Sequence, residues 1–247
     1  MSKTTGLGMF CWVDGYDLSG DIGSIGHING GPKPLELTGI DKGGYERAGG
    51  LRDGGFGFTA WFNPAASQAH PVLSTLPTAD RAAMTGLGST IGSPAACLIG
   101  KQIGYDGKRA NDGAFTLDVE AQSNAYGLEW AQLLTAGKRV DTVATNGASL
   151  DTAASASFGA QLYLQVFAFT GTDVTIKLQD SADNSSFTDV TGGAFTAVTT
   201  APQSQRLQLG AAATVRRYLR IATTTSGGFT SVTFAVGVNK NNVTVAF

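Results

Sequence analysis

Strict two-residue alternation of apolar and other side chains in the second half is the feature that most constrains this 247-residue chain. Leu162, Leu164, Val166 and Ala168 alternate with Tyr163, Gln165 and Phe167. Val174, Ile176 and Leu178 repeat the pattern, with Thr175, Lys177 and Gln179 between them. Leu207 and Leu209 follow, then Val215, Arg217, Leu219 and Ile221, then Val232, Phe234, Val236 and Val238, and last Val243, Val245 and Phe247. Period two places successive side chains on opposite faces of a strand. Turn clusters such as DSADNSS, TGG and TTSGG divide these runs at the spacing of a sandwich or barrel. This half is expected to be all-β, an Ig-like or jelly-roll-like β-sandwich.

The first half reads as β with a little helix. Strands are expected over Leu35–Asp41, over Gly55–Asn63 with Phe56, Phe58, Ala60 and Phe62 on one face, and over Ala96–Tyr105. Another is expected over Ala114–Gln122, with Phe115, Leu117 and Val119 inward. Pro77 and Thr78 can start a helix at Ala79 that ends near Gly86, with Asp80 favouring the positive end of its dipole. A second helix is expected from about Tyr126 to Ala136, where Trp130, Leu133 and Leu134 form a stripe ahead of Gly137. Between the halves, DTVATNGASLDTAASAS at 141–157 is small, polar and free of aromatic residues, the composition of a linker. The expected division is therefore a domain at 1–140, a linker at 141–157 and a second domain at 158–247.

Charge excludes several functions. Seventeen Lys and Arg face 19 Asp and Glu, a formal charge of −2, so there is no basic coat for nucleic acid and no acidic tail. No run approaches the roughly 18 apolar residues of a membrane helix, and the opening MSKTTGLGMF is no signal peptide, so no membrane partner is expected. Cys11 and Cys97 allow at most one bridge and are expected as free thiols of a chain made in a reducing cytoplasm.

Catalytic and metal signals are poor. His27 with Cys11 and Asp14 is a weak zinc set, and His70 has no second ligand at the required spacing. No G-x-S-x-G elbow occurs, and Cys97, in PAACLIGKQ, has the surroundings of a core thiol rather than a nucleophile. Gly86, Gly88 and Gly92 in GLGSTIG lack the Lys-Ser/Thr of a phosphate loop and read as turn residues. Asp180, Asp183 and Asp189 can be drawn around a calcium ion, or can be ordinary turn formers. Asp118 and Glu120 share a solvated strand face, and Arg216, Tyr218 and Arg220 share another on the second domain. No enzyme, catalytic residue, metal or cofactor is expected.

Few charges, 34 glycines and many strands suit a building block that buries flat surfaces against copies of itself. The order DGYDLSGDIGSIGHI, PLELTGID, GFGFTAWFNP, TADRAAMTGLG, CLIGKQIGYD, GAFTLDVEAQ, YGLEWAQLL resembles the major tail tube protein of long-tailed, non-contractile bacteriophages. The second half, with VTIKLQDSADNSSFTDV and RRYLRIAT, is similar to small β-sandwich modules appended to phage structural proteins. The resemblance implies a mainly β, tail-tube-like sandwich or barrel with short flanking helices. It also implies hexameric rings stacked into a hollow tube, with a tape-measure protein, a tail terminator and distal tail or baseplate proteins as partners. Double-stranded DNA would pass without specific binding. Residues Gly30 to Gly55 become the candidate ring-bridging arm, and Asp118 and Glu120 become candidates for a neutral or acidic lumen. The second domain would decorate the outside, where Arg216, Tyr218 and Arg220 form a candidate exposed patch. Other virion proteins, such as a capsid decoration protein, and a sugar-binding β-sandwich or a hydrolase built on one are the competing readings.

Overall fold

A computed structural model describes residues 5–75 and 79–245. The first half supplies β1 (Met9–Val13), β2 (Tyr16–Asp17), β3 (Ile22–Glu36), β4 (Arg47–Trp61), helix α1 (Ala69–Leu73), β5 (Arg81–Leu87), β6 (Pro94–Arg109) and β7 (Phe115–Leu133). The second supplies β8 (Arg139–Asp141), β9 (Leu150–Asp151), β10 (Ala160–Gly171), β11 (Thr175–Ser181), β12 (Thr188–Ala194), β13 (Gln203–Gln208), β14 (Tyr218–Thr224) and β15 (Phe229–Lys240). The fold is mainly β, as the alternation requires.

In the first half the strands lie antiparallel in the order β3-β4-β7-β6-β5-β1-β2. β7 is the spine. Residues 116–122 pair with β4, whereas Gln132 and Leu133 pair with β15 of the second half. Between these stretches the strand kinks, with Ala125 and Gly127 both at positive φ. Alternate residues of the central strands feed two cores. Cys11, Val13, Ala83, Ala96 and Leu98 join Phe56, Phe58, Val119 and α1 in one. Phe10, Trp12, Met84, Ala95 and Cys97 join Ala131, Leu133, Tyr163 and Ala235 in the other.

The second half is a jelly roll. One sheet runs β13-β10-β15-β8 and the other β12-β11-β14-β9, all antiparallel. That is the two-sheet, eight-strand order of two Greek keys. Leu162, Leu164, Val166, Phe234 and Val236 of one sheet meet Ile176, Leu178, Leu219 and Ile221 of the other. β12 was not marked by alternation: its TDVTGGA carries two glycines and one large apolar residue. Val243 and Val245 add no strand, and Phe247 lies outside the described residues.

Both expected helices are strands instead. The Ala79–Gly86 helix is β5, held between β1 and β6, and its start signals Pro77 and Thr78 lie outside the described residues. A helix of eight residues is marginal by itself, whereas β5 obtains hydrogen bonds from both neighbours and buries Ala82 through Gly86. The Tyr126–Ala136 helix is the end of β7. There Glu129, Ala131 and Leu133 are buried at period two and Trp130 faces solvent, so the Trp130–Leu133–Leu134 stripe is no helical face. The one helix among the described residues, α1, starts where Asp21 accepts the Ala69 N–H at 2.8 Å. The Leu35–Asp41 strand stops at Glu36, and residues 37–46 turn back to β4.

Residues 141–157 are stitched into the jelly roll. β9 pairs with β14, Asn146 bridges Ala222 and Ala156 bridges Val215. Arg139 donates to both oxygens of Asp141, at 2.7 and 2.6 Å, and to the Ile221 carbonyl at 2.9 Å. Side chains add to this pairing, with Arg217 on Asp151, Lys240 on Thr152 and Leu150 in the core, partners that the stretch's polar composition does not reveal. The strands of residues 139–240 form one sandwich, and the connection from β7 to β8 is only residues 134–138.

Candidate assembly surface

β3 and β4 form one long hairpin whose register runs from Ile22 opposite Ala60 to Glu36 opposite Arg47. β4 pairs with β7 through its backbone over Gly55–Trp61. Beyond Gly55 the backbones of the two strands pair with each other as a ribbon, while Asp53 and Arg52 at its base still meet Ser123 and Glu129 of β7. Glycines shape the departure point: a Cβ on Gly30 or on Gly54 would lie 2.6 Å from Leu128 Cβ, inside contact distance. Either substitution would lift the ribbon off β7.

The ribbon carries large apolar side chains into solvent. Ile40 at the tip is fully exposed, Leu51 is 87% exposed and Tyr45 70% exposed, with Leu35 and Leu37 beside them. Lys33 pairs with Asp53 at 2.9 Å and Lys42 with Glu46 at 3.6 Å, so the ribbon's charges are partly compensated within it. The Lys33 ammonium, then the Gly54 N–H, hold the Asp53 carboxyl down at about 2. A two-stranded ribbon is marginal in water without a surface to lie on, and contiguous exposed apolar groups mark interaction sites. The Gly30–Gly55 arm expected from the sequence coincides with this ribbon. Its apolar members were harder to see, because no periodicity links Ile40, Tyr45 and Leu51.

Asp118 and Glu120 lie together on the outer face of β7, each about two-fifths exposed at the side chain. Neither is bare. Asp118 takes a short contact from Lys108 and a hydrogen bond from Thr59 Oγ1 at 2.9 Å, which together lower its pKa. Glu120 meets His27 Nε2 at 3.1 Å, and the missing side chain of Gly57 makes room for that ring. Lys101 pairs with Asp80 on the same side at 3.1 Å. On this face Asp118 and Asp80 have lysine partners, and Glu120 has the His27 ring beside it.

Arg216, Tyr218 and Arg220 do not form a free patch. Arg216 grips buried Asp180, Nε to Oδ1 at 2.7 Å and Nη2 to Oδ1 at 2.5 Å. Arg220 donates to Gln179 at 2.8 Å and lies 4.1 Å over the Phe187 ring, while Arg217 covers Tyr218. The three aspartates considered for calcium are separately engaged. Asp180 holds Arg216, Asp183 accepts the Ser185 and Ser186 N–H groups at 2.9 Å, and Asp189 binds Lys177 and Gln179 at 2.7 Å. Cys11, Asp14 and His27 are likewise not assembled: Cys11 is buried, Asp14 pairs with Arg81 and His27 with Glu120. His70 shares a 2.8 Å hydrogen bond with Tyr105. Among the described residues, no three His, Cys, Asp or Glu side chains gather to hold a metal ion. Gly86 belongs to β5, where a Cβ would meet the Pro94 carbonyl at 2.3 Å, and Gly88 and Gly92 take positive φ in the following turn.

The thiols allow a direct test. Burial, then the Asp17 carboxylate, pushes Cys11 up to about 12, and burial with Glu129 raises Cys97. Both should resist a thiol reagent at pH 8 in the folded protein and react in denaturant. An unfolded thiol ionises near 9.0 and the folded Cys11 does not. Its contribution to stability is therefore complete below pH 9 and lost as pH rises toward 12. Rapid labelling of either native thiol would show that the core is open.

No protein-family model matches the chain, and no curated protein matches it. Among solved structures it is similar to the SPP1 Dit (gp 19.1) protein, described as a paradigm of the hub adsorption apparatus in Gram-positive infecting phages. That likeness has 10% identity and a TM-score of 0.34, over 94% of this chain and 99% of the other. A chain of the phage p2 baseplate in its activated conformation with Sr is similar at 8% identity and a TM-score of 0.34, covering 95% and 99%. The corresponding form with Ca gives 8% identity, a TM-score of 0.31 and the same coverage.

Proposed function

We propose that this chain is a structural subunit of a phage tail, whose copies close into hexameric rings and stack into a hollow tube. The observation that carries the reading is the ribbon at residues 30–55. Beyond the sheet its backbone pairs strand to strand, and it is tipped with Ile40, Tyr45 and Leu51 in solvent. A projecting element that meets a different surface on the next copy is a heterologous contact, and repeated without closure it builds a filament. The face of Asp118 and Glu120 is suited to the bore, because the lysines beside it are engaged by aspartates rather than offered to passing phosphates. Jelly-roll strands β8–β15 then form the outer layer. A tape-measure protein inside, a tail terminator at one end and distal tail or baseplate proteins at the other are the partners this role requires. The role is mechanical, with no catalysis.

The test is electron microscopy and sedimentation of the full chain at high concentration, beside an Ile40→Asp/Leu51→Asp double variant. The wild type should give six-fold rings or tubes. The variant should keep the wild-type circular dichroism and thermal midpoint but remain dispersed, because both side chains are solvent-exposed in the single chain. Tubes formed equally well by the variant would remove the ribbon from the contact. Closed trimers that never stack would overturn the tube in favour of a decoration protein.

A further inference from the structure

Three parts of the molecule meet at one buried carboxylate. Glu129 of β7 has a side chain with no solvent exposure. From the jelly roll, Arg206 of β13 reaches its two oxygens at 3.2 and 3.3 Å, and the Tyr163 hydroxyl of β10 donates to it in a short contact. Arg206 also donates to the Tyr163 hydroxyl at 3.1 Å, and its guanidinium lies 3.8 Å over the Tyr126 ring of β7. From the ribbon, Arg52 of β4 brings Nη2 to 3.7 Å from the same carboxylate. The backbone makes room for that approach. Gly127 sits at φ +72°, and a Cβ there would lie 3.1 Å from Arg52 Cβ.

We propose that Glu129 is a shared anchor that couples the base of the ribbon to the jelly roll, so that a load on one changes the attachment of the other. One carboxylate serves cations from two elements that otherwise meet mainly through β7. Displacing Arg52 removes positive charge from Glu129 and unsettles the geometry that Arg206 and Tyr163 share with it. Displacing Arg206 does the same to Arg52, since energetic coupling between two sites is reciprocal. Glu129 and Arg206 are buried in a low-dielectric setting, where such dependence is strongest. This coupling does not depend on the tail reading, and it holds for any partner that grips the ribbon.

Amide hydrogen exchange on the full chain tests it, comparing wild type with Arg52→Gln, Arg206→Gln and the control Lys33→Gln. Lys33 is also a ribbon cation, but it pairs with Asp53. Arg52→Gln should speed exchange in β13 and around Tyr163 on the order of tenfold, within the usual range of coupling between sites. Arg206→Gln should do the same over residues 47–55, and Lys33→Gln should leave β13 unchanged. Arg52 is about one-third exposed, so its variant remains informative even where Arg206→Gln fails to fold. Faster exchange confined to the ribbon in Arg52→Gln, or an equal response of β13 to Lys33→Gln, would overturn the proposal.

Discussion

Replacing Arg206 with Met is expected to destabilise the protein by about 3–5 kcal/mol, the usual cost of removing one partner from a buried ion pair. The Arg206 side chain is only 7% exposed, and it supplies the closest cation to a carboxylate with no exposure at all. Without it, Tyr163 still donates to Glu129 and Arg52 stays at 3.7 Å, which is poor compensation for a buried negative charge. The penalty comes from stranding Glu129 rather than from losing an attraction. A charge-free triple variant, Glu129→Leu/Tyr163→Phe/Arg206→Met, should therefore recover most of the loss, because apolar replacement of a whole buried polar group is often near neutral. Urea titrations of both proteins decide it. A triple variant as unstable as the single one would show that packing, not charge, sets the cost.

Phe234→Ala should cost a comparable amount, about 3–5 kcal/mol, by leaving a cavity in the jelly-roll core. Phe234 is fully buried on β15 within the cluster that includes Leu162, Leu178 and Leu219. The Arg139 guanidinium lies 5.4 Å from its ring centre, so truncation also removes the surface on which that partly buried arginine rests. The measurable outcome is a lower denaturation midpoint with loss of near-ultraviolet signal from the second half. A loss below about 1 kcal/mol would mean that the two sheets close over the gap.

The sequence was most legible where one period acts alone. Leu162, Leu164 and Val166 lie in the core that their alternation implies, and so do Phe56, Phe58 and Ala60. It misled where a strand is covered on both faces. Tyr163 and Gln165 occupy the positions that alternation would give to water, yet both are buried. Gln165 accepts the Gly15 N–H at 2.6 Å and donates to the Ala82 carbonyl at 2.9 Å, bonds to partners more than 80 residues away. The false helix at Tyr126–Ala136 has the same origin, since Leu128, Leu133 and Leu134 answer to three different cores. The place of the ribbon followed from the tail-tube resemblance, with the glycines of residues 30–55 only in keeping with it. Its apolar tip was not, because exposure depends on where the sheet ends. The engaged states of Arg216 and the three aspartates depend on tertiary neighbours that spacing alone does not specify.

The core shared by Trp12, Met84, Leu133, Tyr163 and Ala235 bears on how such a chain can shorten or lengthen over evolution. A module attached through a flexible tether can be gained or lost without rewriting its host. Here part of one face of the first-half sheet packs against Tyr163 and Ala235 of the jelly roll. A descendant that deleted the jelly roll would expose Phe10, Trp12, Met84 and Leu133 in a single event. Relatives lacking the module should therefore carry polar residues at those positions, or cover them with another subunit.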